Sequence, residues 1–108
     1  MKIYISGPIT IDPDHWREHF ADAEEYLHQK YPKAEIVNPL VLEDDPDYIR
    51  VQEEGLNGED LYNWVMKRDI RFVTECTHIF VLKGWERSRG ARLEVFVGTS
   101  LGLNILFE

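Results

Sequence analysis

Apolar and polar positions along the chain alternate between two periods. Residues 2–6, "KIYIS", read as a strand, which Gly7-Pro8 breaks. Trp16, Phe20, Ala23, Tyr26 and Leu27 then recur at helical spacing to about Tyr31, with Asp14 as N-cap and Pro32 as terminator. "AEIVN" (34–38) predicts a second short strand, ended by Pro39. Residues 40–59 are acidic, carry Pro46, Gly55 and Gly58, and read as a long loop with at most one helical turn. A second helix is expected from about Glu59 to Glu75, and a third strand over 77–84, "THIFVLKG". A third helix follows from about Ser88 to Leu101, ended by Gly102, and "NILFE" (104–108) closes as a fourth strand.

This order, with apolar strands alternating with helices, predicts an α/β fold. It is a small doubly wound parallel sheet, flavodoxin/Rossmann-like, with strand order 2-1-3-4 and helices on both faces. Residues 1–108 are expected to form one domain. Ligands of such sheets bind at the carboxyl ends of the strands, beside the switch point. Those ends are Ser6-Gly7-Pro8, Asn38-Pro39 and Gly84-Trp85.

Two carboxylates interrupt apolar faces. Tyr62, Val65, Met66, Asp69, Phe72, Val73 and Cys76 form one stripe of the second helix, and Asp69 falls inside it. An acid there must be paired or hydrogen-bonded, and Arg68 and Arg71 are the nearby cations. On the third helix Glu94 shares a face with Gly90, Ala91, Gly98 and Leu101, whose small members bring the helix close to the sheet. Both helices flank the central third strand, so the two carboxylates are expected to converge at its carboxyl end. Paired carboxylates in unequal surroundings suit glycosyl transfer. Ser88-Arg89-Gly90 opens the third helix, with Ser88 as a natural N-cap. Helix-start N–H groups, with Arg87 and Arg89 alongside, make an anion site. Trp85 either caps the core or stacks on a base.

Charge narrows the ligand. The net charge is -8, which argues against binding a nucleic-acid polymer. Seven of the 12 Lys and Arg nevertheless lie between Lys67 and Arg92, a local cluster that fits a small anion. Glu43, Asp44, Asp45 and Asp47 lack a calcium-loop spacing, so no metal site is expected. No apolar run suits a membrane span, and "MKIYIS" is not a signal peptide. With Cys76 as the lone cysteine, a reducing cytoplasm is the expected setting.

The frame "IYISGPI", "RDI", "HIFVLKGWERSRGARLE" and "LGLNILF" resembles the nucleoside 2-deoxyribosyltransferase superfamily, in order and over nearly the whole chain. That superfamily includes 2'-deoxynucleoside 5'-phosphate N-hydrolases and short phage and bacterial relatives. The resemblance implies a Glu nucleophile at Glu94, an acid at the leaving base at Asp69, and a tyrosine holding the nucleophile at Tyr4. It implies that Gly7, Pro8 and Ile9 line the nucleotide pocket, with Asn38 and Trp85 at the neighbouring strand ends. Ser88, where the transferases carry an Asp for the sugar 5'-hydroxyl, implies a 5'-phosphate, with Arg89 and Gly90 beside it. The implied reaction needs no metal or other cofactor, and the implied assembly is a homo-oligomer, in keeping with an edge strand at "NILFE".

Overall fold

A computed structural model describes residues 1–9, 15–39 and 45–108. Strands β1 (Lys2–Ser6), β2 (Glu35–Val37), β3 (His78–Val81) and β4 (Asn104–Phe107) form one parallel sheet in the order β2-β1-β3-β4. Helices α1 (Trp16–Lys30), α2 (Pro46–Glu53), α3 (Gly58–Glu75) and α4 (Arg89–Ser100) connect them. The architecture is the small doubly wound α/β sheet that the sequence predicts.

The period of two along β1 sorts its side chains onto the two faces. Ile3 and Ile5 join Phe20, Ala23 and Leu27 of α1, with Phe80 and Leu82, in one core layer. Tyr4 turns the other way, into a layer with Val73, Cys76, Ile79 and Val81. Polar groups of β1 on that second face therefore meet α3 and α4.

Four expectations are corrected. Residues 40–59 are not simply a loop, because Pro46–Glu53 is helical. Asp45 caps it by accepting from the Asp47 N–H at 2.9 Å, and Pro46 sits at the first helical position, where its missing N–H costs nothing. Tyr26 is exposed, yet its ring lies 5.7 Å from that of Phe80. Leu101 is exposed as well and shares no buried face with Glu94. The third strand pairs only over His78–Val81; Leu82 stays buried just beyond it, its N–H donating to the Ser6 carbonyl. The Asp14 cap lies outside the described residues; α1 starts after His15, which makes no side-chain cap. Among the described residues no helix is long and apolar enough to cross a membrane.

Candidate active site

Tyr4 and Ser6 are two residues apart on β1, so both point toward α4. Their hydroxyls take one oxygen each of the buried Glu94 carboxyl: Tyr4 donates to Oε2, and Ser6 donates to Oε1 at 2.8 Å. Glu94 reaches them because α4 packs tightly on the sheet. A side chain at Gly98, one turn on, would put its Cβ 2.2 Å from Ile79 Cδ1. The close fit at the strand ends is set by Gly7, whose Cβ would lie 2.8 Å from Leu82 Cβ.

Asp69 of α3 lines the same cleft as Glu94, together with Gly7, Ile9, Ser88, Arg89 and Gly90. The cleft measures about 530 Å³, within the range that small-molecule sites occupy. Its walls add Trp16, Pro39, Tyr48, Tyr62, Met66 and Arg68. Asp69 is buried, and its partner is Arg68 rather than Arg71: Arg68 Nε lies 3.4 Å from Oδ1, whereas Arg71 is exposed.

Burial governs the proton affinities here. Loss of hydration pushes Glu94 up to about 8, and the Asp69 charge adds to it, while the Tyr4 and Ser6 hydroxyls pull the other way. Burial likewise raises Asp69 to about 6, opposed by Arg68 and by the Tyr4 hydroxyl. Burial, with Glu94 and then Asp69 adding to it, holds the Tyr4 phenol well above its ordinary value. The Asp69 charge raises Glu94, so the two carboxyls titrate as a coupled pair.

At the mouth, Ser88 caps α4, its Oγ accepting from the Ala91 N–H at 3.2 Å. Arg89 donates to Glu59 at 2.7 Å, and its guanidinium lies 4.4 Å from the centre of the Tyr62 ring. Gly90 faces the cleft, but its missing side chain also admits Met66, whose sulfur would sit 3.1 Å from a Cβ. The Tyr62 hydroxyl is buried with no hydrogen-bond partner among the described residues.

Of the expected residues, Tyr4, Asp69 and Glu94 come together, with Gly7, Ile9, Ser88, Arg89 and Gly90 around them. Pro8, Asn38 and Trp85 do not line this cleft. Trp85 packs against the Tyr4–Val73–Ile79 layer, which is its core-capping alternative. Asn38 is buried beside an adjoining hollow that also reaches Tyr4 and Asp69. Pro8 lies against Gly84, which adopts a φ of 89° that favours glycine. Arg87, the other expected anion donor, is exposed in a single turn of 3-10 helix over Trp85–Arg87 and does not line the cleft either. The sequence sets Ser6 at a strand end but did not mark it as a partner of Glu94, although its place two residues after Tyr4 was the signal. It also left Arg68 undecided and gave no sign of Tyr48 or Tyr62 as cleft walls.

The molecule is thus a doubly wound α/β domain with a carboxylate-floored cleft at the carboxyl ends of its strands. The chain belongs to the domain of unknown function family DUF4406, whose model matches residues 1–107. No curated protein matches it.

Proposed function

We propose that the chain cleaves or transfers the N-glycosidic bond of a (deoxy)nucleoside 5'-monophosphate. The observation that carries this reading is Glu94 buried at the cleft floor, oriented by two hydroxyls, with Asp69 lining the same space. The resemblance of the sequence to nucleoside 2-deoxyribosyltransferases supports reading Glu94 as nucleophile and Asp69 as acid.

In the singly protonated pair with the proton on Asp69, the ionised Glu94 attacks the anomeric carbon, and the carbon–nitrogen bond breaks with its electron pair going to the base. Asp69, protonated, gives its proton to that base. Water, or a second base, then attacks the anomeric carbon of the glycosyl ester and releases Glu94, while Asp69 takes back the proton. Tyr4 and Ser6 hold the carboxylate in line and disperse its charge. Ser88, Arg89 and the first amides of α4 receive the phosphate, Arg89 exchanging Glu59 for the ligand.

The test is incubation with a panel of nucleoside monophosphates, followed by chromatography of free base. No release above that of Glu94→Ala rules out the enzymatic reading. Binding unchanged by both Ser88→Asp and Arg89→Ala rules out the phosphate assignment.

One physical argument favours a second reading. Burial that raises Glu94 to about 8 favours its neutral form near pH 7, and a neutral carboxyl is no nucleophile. A nucleotide-binding module without turnover fits that state. Calorimetric binding of a monophosphate, with no base released between pH 6 and 9, selects it.

A further inference from the structure

Arginine is almost never buried unless paired, and Arg68 is 7% exposed. Its guanidinium is divided unequally between two carboxylates. Nη1 donates to Asp45 Oδ2 at 2.6 Å, whereas Nη2 and Nε stand 3.5 and 3.4 Å from Asp69 Oδ1. Among the described residues Nε finds no hydrogen-bond partner within the limits of good geometry. The same guanidinium lies 5.1 Å from the Trp64 ring and 5.6 Å from the Tyr48 ring, and these two rings stack on one another.

Asp45 and Tyr48 belong to one short stretch. Asp45 caps α2, and Tyr48, in the first turn of α2, is a wall of the cleft. Seating α2 therefore brings the stronger carboxylate to Arg68 and holds the guanidinium short of Asp69. Any ligand that touches Tyr48 bears on that seating.

We propose that Arg68 is a positioning residue that α2 and Asp69 share, so that the seating of α2 sets how closely the guanidinium approaches Asp69 and how readily Asp69 takes a proton. With α2 seated, the guanidinium is drawn to Asp45 and Asp69 can take up the proton that the leaving base needs. With α2 released, Arg68 turns fully to Asp69 and weakens its hold on that proton. The inference rests on the N-glycosidase reading only in giving that proton a use.

Among the described residues, the charged and titratable groups facing Asp69 are Tyr4 from β1, Glu94 from α4, Arg68 from α3 and, through Arg68, Asp45 ahead of α2. Burial outweighs the loosely held guanidinium, which is why Asp69 stays up at about 6 beside an arginine. A closely paired arginine ordinarily takes a carboxyl below its unperturbed value.

A carbon-detected NMR titration of the Asp69 carboxyl, on the whole chain without substrate, tests this. Asp45→Asn keeps a cap acceptor for α2 but removes the charge that holds Arg68. The expected result is a fall of the Asp69 midpoint from about 6 toward the ordinary value of about 3.9. Arg68→Gln raises the midpoint, Arg68→Lys restores part of the difference, and Asp45→Asn made on Arg68→Gln has little further effect. An Asp69 midpoint that Asp45→Asn leaves in place or raises overturns the proposal. So does an equal fall with and without Arg68, which would be simple charge removal. Should Arg68→Gln fail to fold, Arg68→Lys replaces it as the background. A fall on Asp45→Asn that is as large in the Arg68→Lys background as in the wild-type chain then overturns the proposal. Free-base release is followed separately: its absence from the wild-type chain defeats the N-glycosidase reading and leaves the titration to decide the role of Arg68.

Discussion

At the floor of the cleft, Glu94 is buried and receives a hydroxyl on each oxygen; at its mouth, Arg89 and Glu59 pair with side chains 62% and 64% exposed. The floor draws its groups from β1, α3 and α4, fixed by packing on both sides. The mouth rests on two long side chains in water, where an ion pair contributes little and is screened by salt. The floor is therefore costly to build and hard to rearrange, whereas the mouth can trade one anion for another. Chemistry suits the first setting, and capture of a charged ligand suits the second.

The comparison breaks most sharply at Glu94. Glu94→Gln should lower turnover by more than about 10³-fold while making the fold more stable at high pH. The sign follows from linkage: the folded state binds this proton more tightly than the unfolded chain does. The stability it confers is full below the ordinary value of 4.5 and is lost as pH rises to about 8. At pH 8 the melting temperature of Glu94→Gln should exceed wild type by on the order of 5 °C, and the gap should close near pH 5. A wild type that is as stable at pH 8 as at pH 5 would contradict a costly floor.

Asp69→Asn comes next. Turnover should fall by about 10²-fold or more, the size of a general acid's contribution. Wild-type kcat/KM should be bell-shaped, with limbs near 6 and 8, because the singly protonated pair is the active form. In Asp69→Asn a single limb should remain, with its midpoint below about 8 because the charge beside Glu94 is gone.

Tyr4→Phe removes one donor and leaves Ser6 in place. Glu94 should then titrate still higher, and kcat should drop by roughly tenfold, the equivalent of one hydrogen bond of about 1.4 kcal/mol. Arg89→Ala should have the smallest effect. KM for a monophosphate should rise a few-fold and lose part of its salt dependence, with kcat and melting temperature unchanged. A large change in kcat on this variant would erase the distinction between floor and mouth.

The sequence spoke clearly wherever a periodic pattern met a residue that did not fit it. Asp69 and Glu94 stood out because burying a lone carboxylate is costly, and the strand order followed from the alternation of elements with right-handed crossovers. Partners were harder to read. Arg68 and Arg71 flank Asp69 alike in the sequence, and only the rotation of α3 against α2 selects Arg68. α2 itself was obscured by acidic residues and a proline, although "DDPD" is an N-cap followed by a first-turn proline. Trp85 pointed equally toward core and ligand, because an indole suits both. Ser88 and Gly90 carry two duties each, capping and cleft wall in one case, helix packing and cleft wall in the other.

Gly7 has no functional group, yet the site depends on it. The atom a methyl group would strike is the β-carbon of Leu82, which is anchored to the main chain and cannot swing aside. Any larger residue must pry the exits of β1 and β3 apart, and Ser6, the next residue back, moves with them. A mutational scan scored on ligand binding would rank position 7 beside Asp69 and Glu94, although it offers a ligand only a surface. Tolerance of position here, rather than chemical identity, is what selection would have to guard.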